Sequence, residues 1–159
     1  MKVYFLRHGI AEDHAASGSD RDRRLTEEGV AEMEKEAKGL KRLAPKLDLL
    51  LTSPYPRARR TAEIVADALG LSDRLHVDER LAPGFRLGDL QEIVEEHPHV
   101  LRLMLVGHNP DLPDIAGHLS GEANLDLKKG GLIRVDADMI EPGSGTLEWL
   151  LPPDILKVD

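Results

Sequence analysis

Apolar positions along this chain fall in two rhythms. Short runs rich in Leu, Val and Ile read as strands, and between them apolar residues recur three or four apart, as on one face of a helix. Lys2–Leu6 is the first β-rich run, and it stops at Arg7-His8-Gly9. Residues 10–24 are polar, contain Gly18 with several Asp and Ser, and read as a loop. Thr26 has the features of an N-cap, with Glu27 and Glu28 in the first turn where the helix dipole favours acids. Val30, Met33, Ala37 and Leu40 then mark one face of an amphipathic helix. Leu47–Thr52 reads as a second strand, ended by Ser53-Pro54. A helix starting near Pro56 or Arg57 carries Ile64, Val65, Ala68 and Leu69 on one face, with Gly70 as its C-cap.

The rhythm repeats downstream. Leu75–Asp78 is a short third strand, and Leu87–Glu96 a third helix closed by His97-Pro98. Val100–Val106 is apolar apart from Arg102, as expected of a central strand covered on both faces, and it ends at Gly107-His108-Asn109-Pro110. A short helix follows over Leu112–Leu119. Leu132–Asp136 and Thr146–Leu151, separated by the turn-rich Glu141-Pro142-Gly143-Ser144-Gly145, predict a hairpin. Strand–helix alternation over the first 120 residues implies a mostly parallel central sheet with helices on both faces, and the hairpin adds an antiparallel edge. The expected fold is therefore α/β, a three-layer α/β/α sandwich. No repeat, low-complexity tract or long linker divides the chain, so residues 1–159 read as a single domain.

Composition narrows the picture. Apolar residues make up 41% of the chain and aromatics only 3%, so the core must rest on aliphatic side chains. No run reaches the roughly 18 apolar residues that cross a bilayer, and Val3-Tyr4-Phe5-Leu6 is shorter than a signal-peptide core of roughly 7–15. Cysteine is absent, which removes disulfides, thiolate metal sites and cysteine nucleophiles together. The expectation is a cytoplasmic protein without membrane association, and a monomer. A net charge of −8 argues against nucleic acid as a partner. The arginines are nevertheless grouped, as Arg21, Arg23 and Arg24 and as Arg57, Arg59 and Arg60. The first group reads as a solvated face, and Arg59 and Arg60 as residues projecting to solvent.

In open α/β sheets ligands sit beyond the carboxyl ends of the strands. Three unusual clusters fall there: Arg7-His8-Gly9, Ser53-Pro54 leading to Arg57, and Gly107-His108-Asn109-Pro110. Taken singly, each residue has a plainer reading, a hydrogen-bonded surface histidine or a first-turn helix arginine. Taken together, they suit one chemistry. Arginines bind phosphoryl oxygens two at a time and stay charged. A neutral imidazole can accept a phosphoryl group that water later removes. A second, protonated imidazole can donate to the same oxygens. Arg57 near a helix amino terminus adds backbone donors. No metal and no cofactor is required, because the protein supplies the cations. His14, His76, His97, His99 and His118 lack supporting neighbours and read as structural.

Val3-Tyr4-Phe5-Leu6-Arg7-His8-Gly9 strongly resembles the opening Arg-His-Gly motif of the histidine phosphatase superfamily, also called phosphoglycerate-mutase-like. Thr52-Ser53-Pro54-Tyr55-Pro56-Arg57-Ala58-Arg59-Arg60-Thr61-Ala62 is similar to its second motif, and Val106-Gly107-His108-Asn109-Pro110 to its last. The three occur in family order across roughly residues 1–120. The short chain and the Gly107-His108-Asn109-Pro110 segment most resemble the SixA-type phosphohistidine phosphatases. The resemblance implies His8 as phosphoryl-accepting nucleophile, Arg7 and Arg57 as phosphate clamps, and His108 as the second pocket histidine. The implied partner is a phosphorylated histidine-containing protein such as a phosphotransfer domain. Asn109 could touch phosphate, but capping the following helix is the expectation.

One departure from the superfamily pattern bears on the substrate. Many members carry an acidic proton donor in a Leu-x-Glu segment after the third strand, where this chain has Leu81-Ala82-Pro83. Glu79 lies two residues earlier and reads as a surface carboxylate or a substitute donor. An alkoxide leaving group needs a positioned acid, typically worth 10²–10⁴-fold in rate, whereas imidazole leaves more readily. The departure favours a phosphoramidate over a phosphomonoester. Three alternatives stand beside this reading: a small-molecule phosphomonoester phosphatase using Glu79, a non-catalytic phosphohistidine-binding module, and a metallohydrolase using His8, His108 and His118. The intact four-residue set weighs against the second, and the spacing between His108 and His118 against the third.

Overall fold

The computed structural model describes residues 1–43 and 46–159. In chain order its elements are β1 (Lys2–Arg7), α1 (Glu27–Leu43), β2 (Leu49–Thr52), α2 (Pro56–Leu69), β3 (Leu75–Val77), α3 (Leu87–Glu96), β4 (Arg102–Gly107), α4 (Asp111–Ser120), β5 (Leu132–Asp136), β6 (Thr146–Leu151) and α5 (Pro153–Leu156). One sheet holds all six strands in the order β3-β2-β4-β1-β5-β6. The pairs β2–β3, β2–β4 and β1–β4 are parallel, while β5 runs antiparallel to β1 and β6 antiparallel to β5. The sheet is thus mostly parallel with an antiparallel edge, as the alternation of elements implies.

Side-chain alternation divides the strands between two cores. Tyr4, Leu6, Leu50, Met104 and Val106 pack under α1, α2 and α5, with Met33, Leu40, Ala62 and Val65 from the helices. Val3, Phe5, Leu49, Leu51, Leu103 and Leu105 face the other way, against Leu90 and Ile93 of α3 and Leu112, Ile115 and Leu119 of α4. These are the three layers of the sandwich. Burying each such large aliphatic side chain contributes about 1.5–3 kcal/mol, which a core poor in aromatics accumulates by number.

Element ends differ from the sequence expectation in ways that have local causes. The second strand begins at Leu49 rather than Leu47, because the Asp48 carboxylate turns to accept the N–H groups of Leu101 and Arg102 at 2.9 Å each. The third ends at Val77, where the Asp78 carboxylate accepts the Arg80 N–H and starts a 3₁₀ turn over Glu79–Leu81. Thr26 caps α1 by accepting the Gly29 N–H at 2.9 Å, and Gly70 ends α2 in the left-handed conformation. The short α5 is too brief for a periodic signature. Among the described residues, no helix is long and apolar enough to cross a membrane.

Candidate active site

The two most central strands, β1 and β4, run side by side and in register, so Arg7 lies opposite Gly107. Their next residues, His8 and His108, therefore leave the sheet together. The rings stand 5.4 Å apart, centroid to centroid, and both are buried. The neighbouring β2 ends in Thr52, so α2 begins beside them and places Arg57 in its first turn. Strand order converts three sequence clusters far apart in the chain into one pocket.

The peptide around His8 is held on all sides. Its N–H donates to the Gly107 carbonyl, and the Gly130 N–H donates to the carbonyls of Arg7 and His8. Gly130 adopts φ +78, and a Cβ there would collide with the Glu36 carboxyl group from α1. Gly9 has a different constraint, since a Cβ would lie 2.8 Å from Cγ of Met33. The Gly9 N–H donates to the Thr61 hydroxyl at 3.1 Å, and that hydroxyl donates to the Arg57 carbonyl at 2.8 Å. Thr61 thereby joins the His8 loop to the Arg57 turn.

Ring chemistry follows from these contacts. His8 Nδ1 lies 2.8 Å from the Gly9 carbonyl oxygen, which fixes the proton on Nδ1 and leaves a lone pair on Nε2. Arg57 Nε donates to that Nε2 at 3.3 Å. Burial, together with His108, Arg57 and Arg7, lowers the His8 pKa to about 3, so the ring is neutral in ordinary buffers. His108 Nε2 is 2.7 Å from the Ser53 hydroxyl, which also accepts the Tyr55 N–H. Ser53 can donate to Nε2 in the tautomer that carries the His108 proton on Nδ1. Burial and the nearby Arg57 lower the His108 pKa to about 4. The pocket therefore holds a neutral His108, not the protonated ring expected from sequence, because two guanidinium groups and exclusion of water penalise a third cation. A neutral ring still donates through one N–H.

Arg7 reaches the pocket from β1, with Nη1 donating to the Leu127 carbonyl at 2.9 Å. Among the described residues, Arg7 Nε and His108 Nδ1 are buried without a hydrogen-bond partner. Buried donors are rarely left unpaired, and the oxygens of a phosphoryl group are acceptors of the required kind. The residues Arg7, His8, Arg57 and His108 thus form one cationic pocket around the unprotonated Nε2 of His8. Among the described residues, no three His, Cys, Asp or Glu side chains gather as a metal ion would need.

The match to known sequences extends across this whole arrangement. Residues 3–114 match the histidine phosphatase superfamily (branch 1). The chain belongs to the histidine phosphatase superfamily. It is 32% identical over 163 residues to the phosphohistidine phosphatase SixA of Escherichia coli, covering 99% of this chain and 98% of that protein. A solved structure of the protein histidine phosphatase SixA complexed with tungstate superposes with a TM-score of 0.87 at 30% identity, over 99% of this chain and 100% of the other. The alpha-ribazole phosphatase of Shigella flexneri shares the fold at a TM-score of 0.74 and 19% identity, over 96% and 97% of the two chains. With near-full-length similarity to SixA added to the superfamily match, the protein is a phosphatase.

Several pocket residues carry no sequence signal of their own kind. Ser53 and Thr61 lie inside the second superfamily motif, but their roles emerge only from the contacts above. Tyr55 packs edge-on to His108 at 5.1 Å, and the guanidinium groups of Arg21 and Arg57 lie 5.1 and 5.2 Å from its ring centre. The first arginine group is therefore not one solvated face: Arg21 stacks at the pocket rim and Arg23 pairs with Asp20 at 2.8 Å. Asp20 itself reaches Arg57, through its carbonyl to Nη1 at 2.8 Å and its carboxylate to Nη2 at 3.1 Å. Asn109 is exposed and makes no capping bond, since Pro110 occupies the N-cap of α4. Glu79 is exposed in its 3₁₀ turn.

Proposed function

We propose that this phosphatase removes the phosphoryl group from a phosphohistidine on a protein, through a covalent intermediate on His8. The observation that carries the reading is the unprotonated Nε2 of a neutral, buried His8, whose lone pair meets only the Arg57 Nε–H at 3.3 Å. His8 Nε2 attacks phosphorus, the substrate's N–P bond breaks, and the leaving imidazole takes a proton from solvent. Water then attacks the phosphorus on His8, releasing inorganic phosphate and restoring the free ring. Arg7 and Arg57 hold the phosphoryl oxygens throughout, and His108 donates through its single N–H as charge develops on them.

The leaving group is chosen by what accompanies these residues. Pro83 stands where many relatives have a carboxyl donor, and Glu79 points to solvent in a separate turn. An alkoxide would have no acid to assist its departure and would leave slowly, whereas an imidazole needs little assistance. The similarity to SixA, named a phosphohistidine phosphatase, supports the same assignment. The deciding experiment compares a phosphorylated phosphotransfer domain with a panel of phosphomonoesters. Preference for the phosphohistidine protein by at least about tenfold in kcat/KM is expected. Faster turnover of a phosphomonoester would assign the pocket to small-molecule substrates, and no turnover of any substrate would assign it to binding alone.

A further inference from the structure

Arg57 is the most heavily engaged cation of the pocket. Its Nε faces His8, while Nη1 and Nη2 are both taken by one residue, Asp20, from the long loop between β1 and α1. The carboxylate and the His8 lone pair are thus donated to by a single guanidinium, one planar group apart. Asp20 is not loosely placed there. Arg23 grips its other carboxylate oxygen at 2.8 Å, and Arg23 is itself fixed by Nε donating to the Glu12 carbonyl at 2.6 Å. Yet the Asp20 side chain is 61% exposed, so it lines the open side of the pocket, in contrast to Arg57 at 5%.

From this placement we infer that Asp20 is a specificity-determining residue, an ionised carboxylate that stands beside the phosphoryl position and disfavours substrates whose leaving group carries further negative charge. The inference rests on the reading of His8 and Arg57 as the phosphoryl-binding pair. The Arg23 and Arg57 hydrogen bonds hold the Asp20 carboxyl below its usual range, so the charge is present at neutral pH. Its field reaches the far wall, where it opposes the lowering of the His108 pKa. A phosphoryl group entering the Arg57 fork meets this charge as a neighbour. A neutral imidazole leaving group adds nothing to the repulsion. A carboxylate or second phosphate on the leaving group adds to it, through an exposed charge whose repulsion is open to screening by salt.

The test uses Asp20→Asn and Asp20→Ala, which keep the main-chain carbonyl on Arg57 Nη1, with Asp22→Asn as a control on the same exposed turn. Inhibition constants for inorganic phosphate and tungstate are measured on each, at low and high ionic strength. Both Asp20 variants should bind the anions about 5- to 30-fold more tightly, with the gain shrinking as salt rises. The ratio of kcat/KM for 3-phosphoglycerate to that for a phosphohistidine peptide should rise by a similar factor. The control should match wild type. Weaker anion binding in both variants would mean that Asp20 merely positions Arg57, and unchanged constants would mean that its charge is not felt; either overturns the inference. The anion constants need no turnover, so they read Asp20 even if the protein proves inactive on phosphohistidine.

Discussion

Arg80 and Arg57 are each held by several partners, but by partners of different kinds. Arg80 donates to both carboxylate oxygens of Asp78, at 2.9 and 2.7 Å, and to both of Glu96, at 2.9 and 2.7 Å. Glu92 adds a third carboxylate at 3.6 Å. Three acids surround that single cation, the Arg80 pKa is pushed further up, and the side chain remains partly exposed. Around Arg57 the balance is reversed. Arg7, Arg57 and two imidazoles share a buried space with one exposed carboxylate at its rim, and both histidines have lost basicity through burial and the nearby guanidinium groups. The first cluster spends its charge on itself. The second keeps cationic capacity in reserve, and a reserve of that kind is what an anionic reactant requires.

The largest test of this contrast is His8→Ala. Turnover should fall by at least about 10³-fold, since no other group supplies the nucleophile, while far-ultraviolet circular dichroism stays that of the wild type. An acid-labile phosphoryl group should be trapped on the wild type and absent from the variant. Retained turnover would remove the covalent mechanism. Next in size is Arg57→Lys, which replaces a planar fork by a point charge. Loss of one charge-assisted contact, about 2–3 kcal/mol, corresponds to about 30- to 150-fold in rate. Arg80→Lys should leave kcat/KM unchanged and lower Tm by a few degrees. Equal kinetic effects at the two positions would erase the distinction between the clusters.

Acid stability separates the same regions by pH window. His8 and His108 have folded pKa values of about 3 and about 4, below the ordinary histidine value of 6.5. Between those limits the unfolded chain binds more protons, so stability should fall as pH drops below about 6.5. The double variant His8→Ala, His108→Ala should flatten urea-derived stability over that range. Asp78, held low by Arg80, contributes stability that is lost only below its ordinary value of 3.8. Asp78→Asn should therefore reshape the profile only at the more acidic end. A single shared window would count against the contrast. The smallest expected effect is Glu79→Gln, with phosphohistidine hydrolysis unchanged within about twofold; a drop beyond about 100-fold would restore an acid-assisted mechanism.

Much of this arrangement is legible in the chain because its signals are local or periodic. The apolar run ending at Val106 and the β-rich run ending at Leu6 identify two strands, and the rule that ligands sit beyond carboxyl ends selects His8, Arg57 and His108. What stays hidden depends on the tertiary fold. Asp20 lies in a polar loop with no period, and nothing in its surroundings says that the loop folds back onto α2. Ser53 and Thr61 are hydroxyls of ordinary kind until strand order brings His108 and Gly9 to them. The charge state of His108 is likewise set by the tertiary fold, through burial and guanidinium groups contributed by other segments.

The network around the His8 peptide has a consequence for how the molecule fails. Its N–H is bonded to Gly107, its carbonyl to Gly130, and the preceding N–H to Gly131, so β1, β4 and the 127–131 segment all meet at this point. No small opening frees it. Amide exchange at Arg7 and His8 should proceed only through the global transition, and be among the slowest in the protein. The 10–24 loop, fastened by the isolated Ala11–Leu25 bridge and a few side chains, should exchange by local fluctuation. On warming, the rim around Asp20 would loosen first, while the reactive imidazole keeps its place until the sheet itself comes apart.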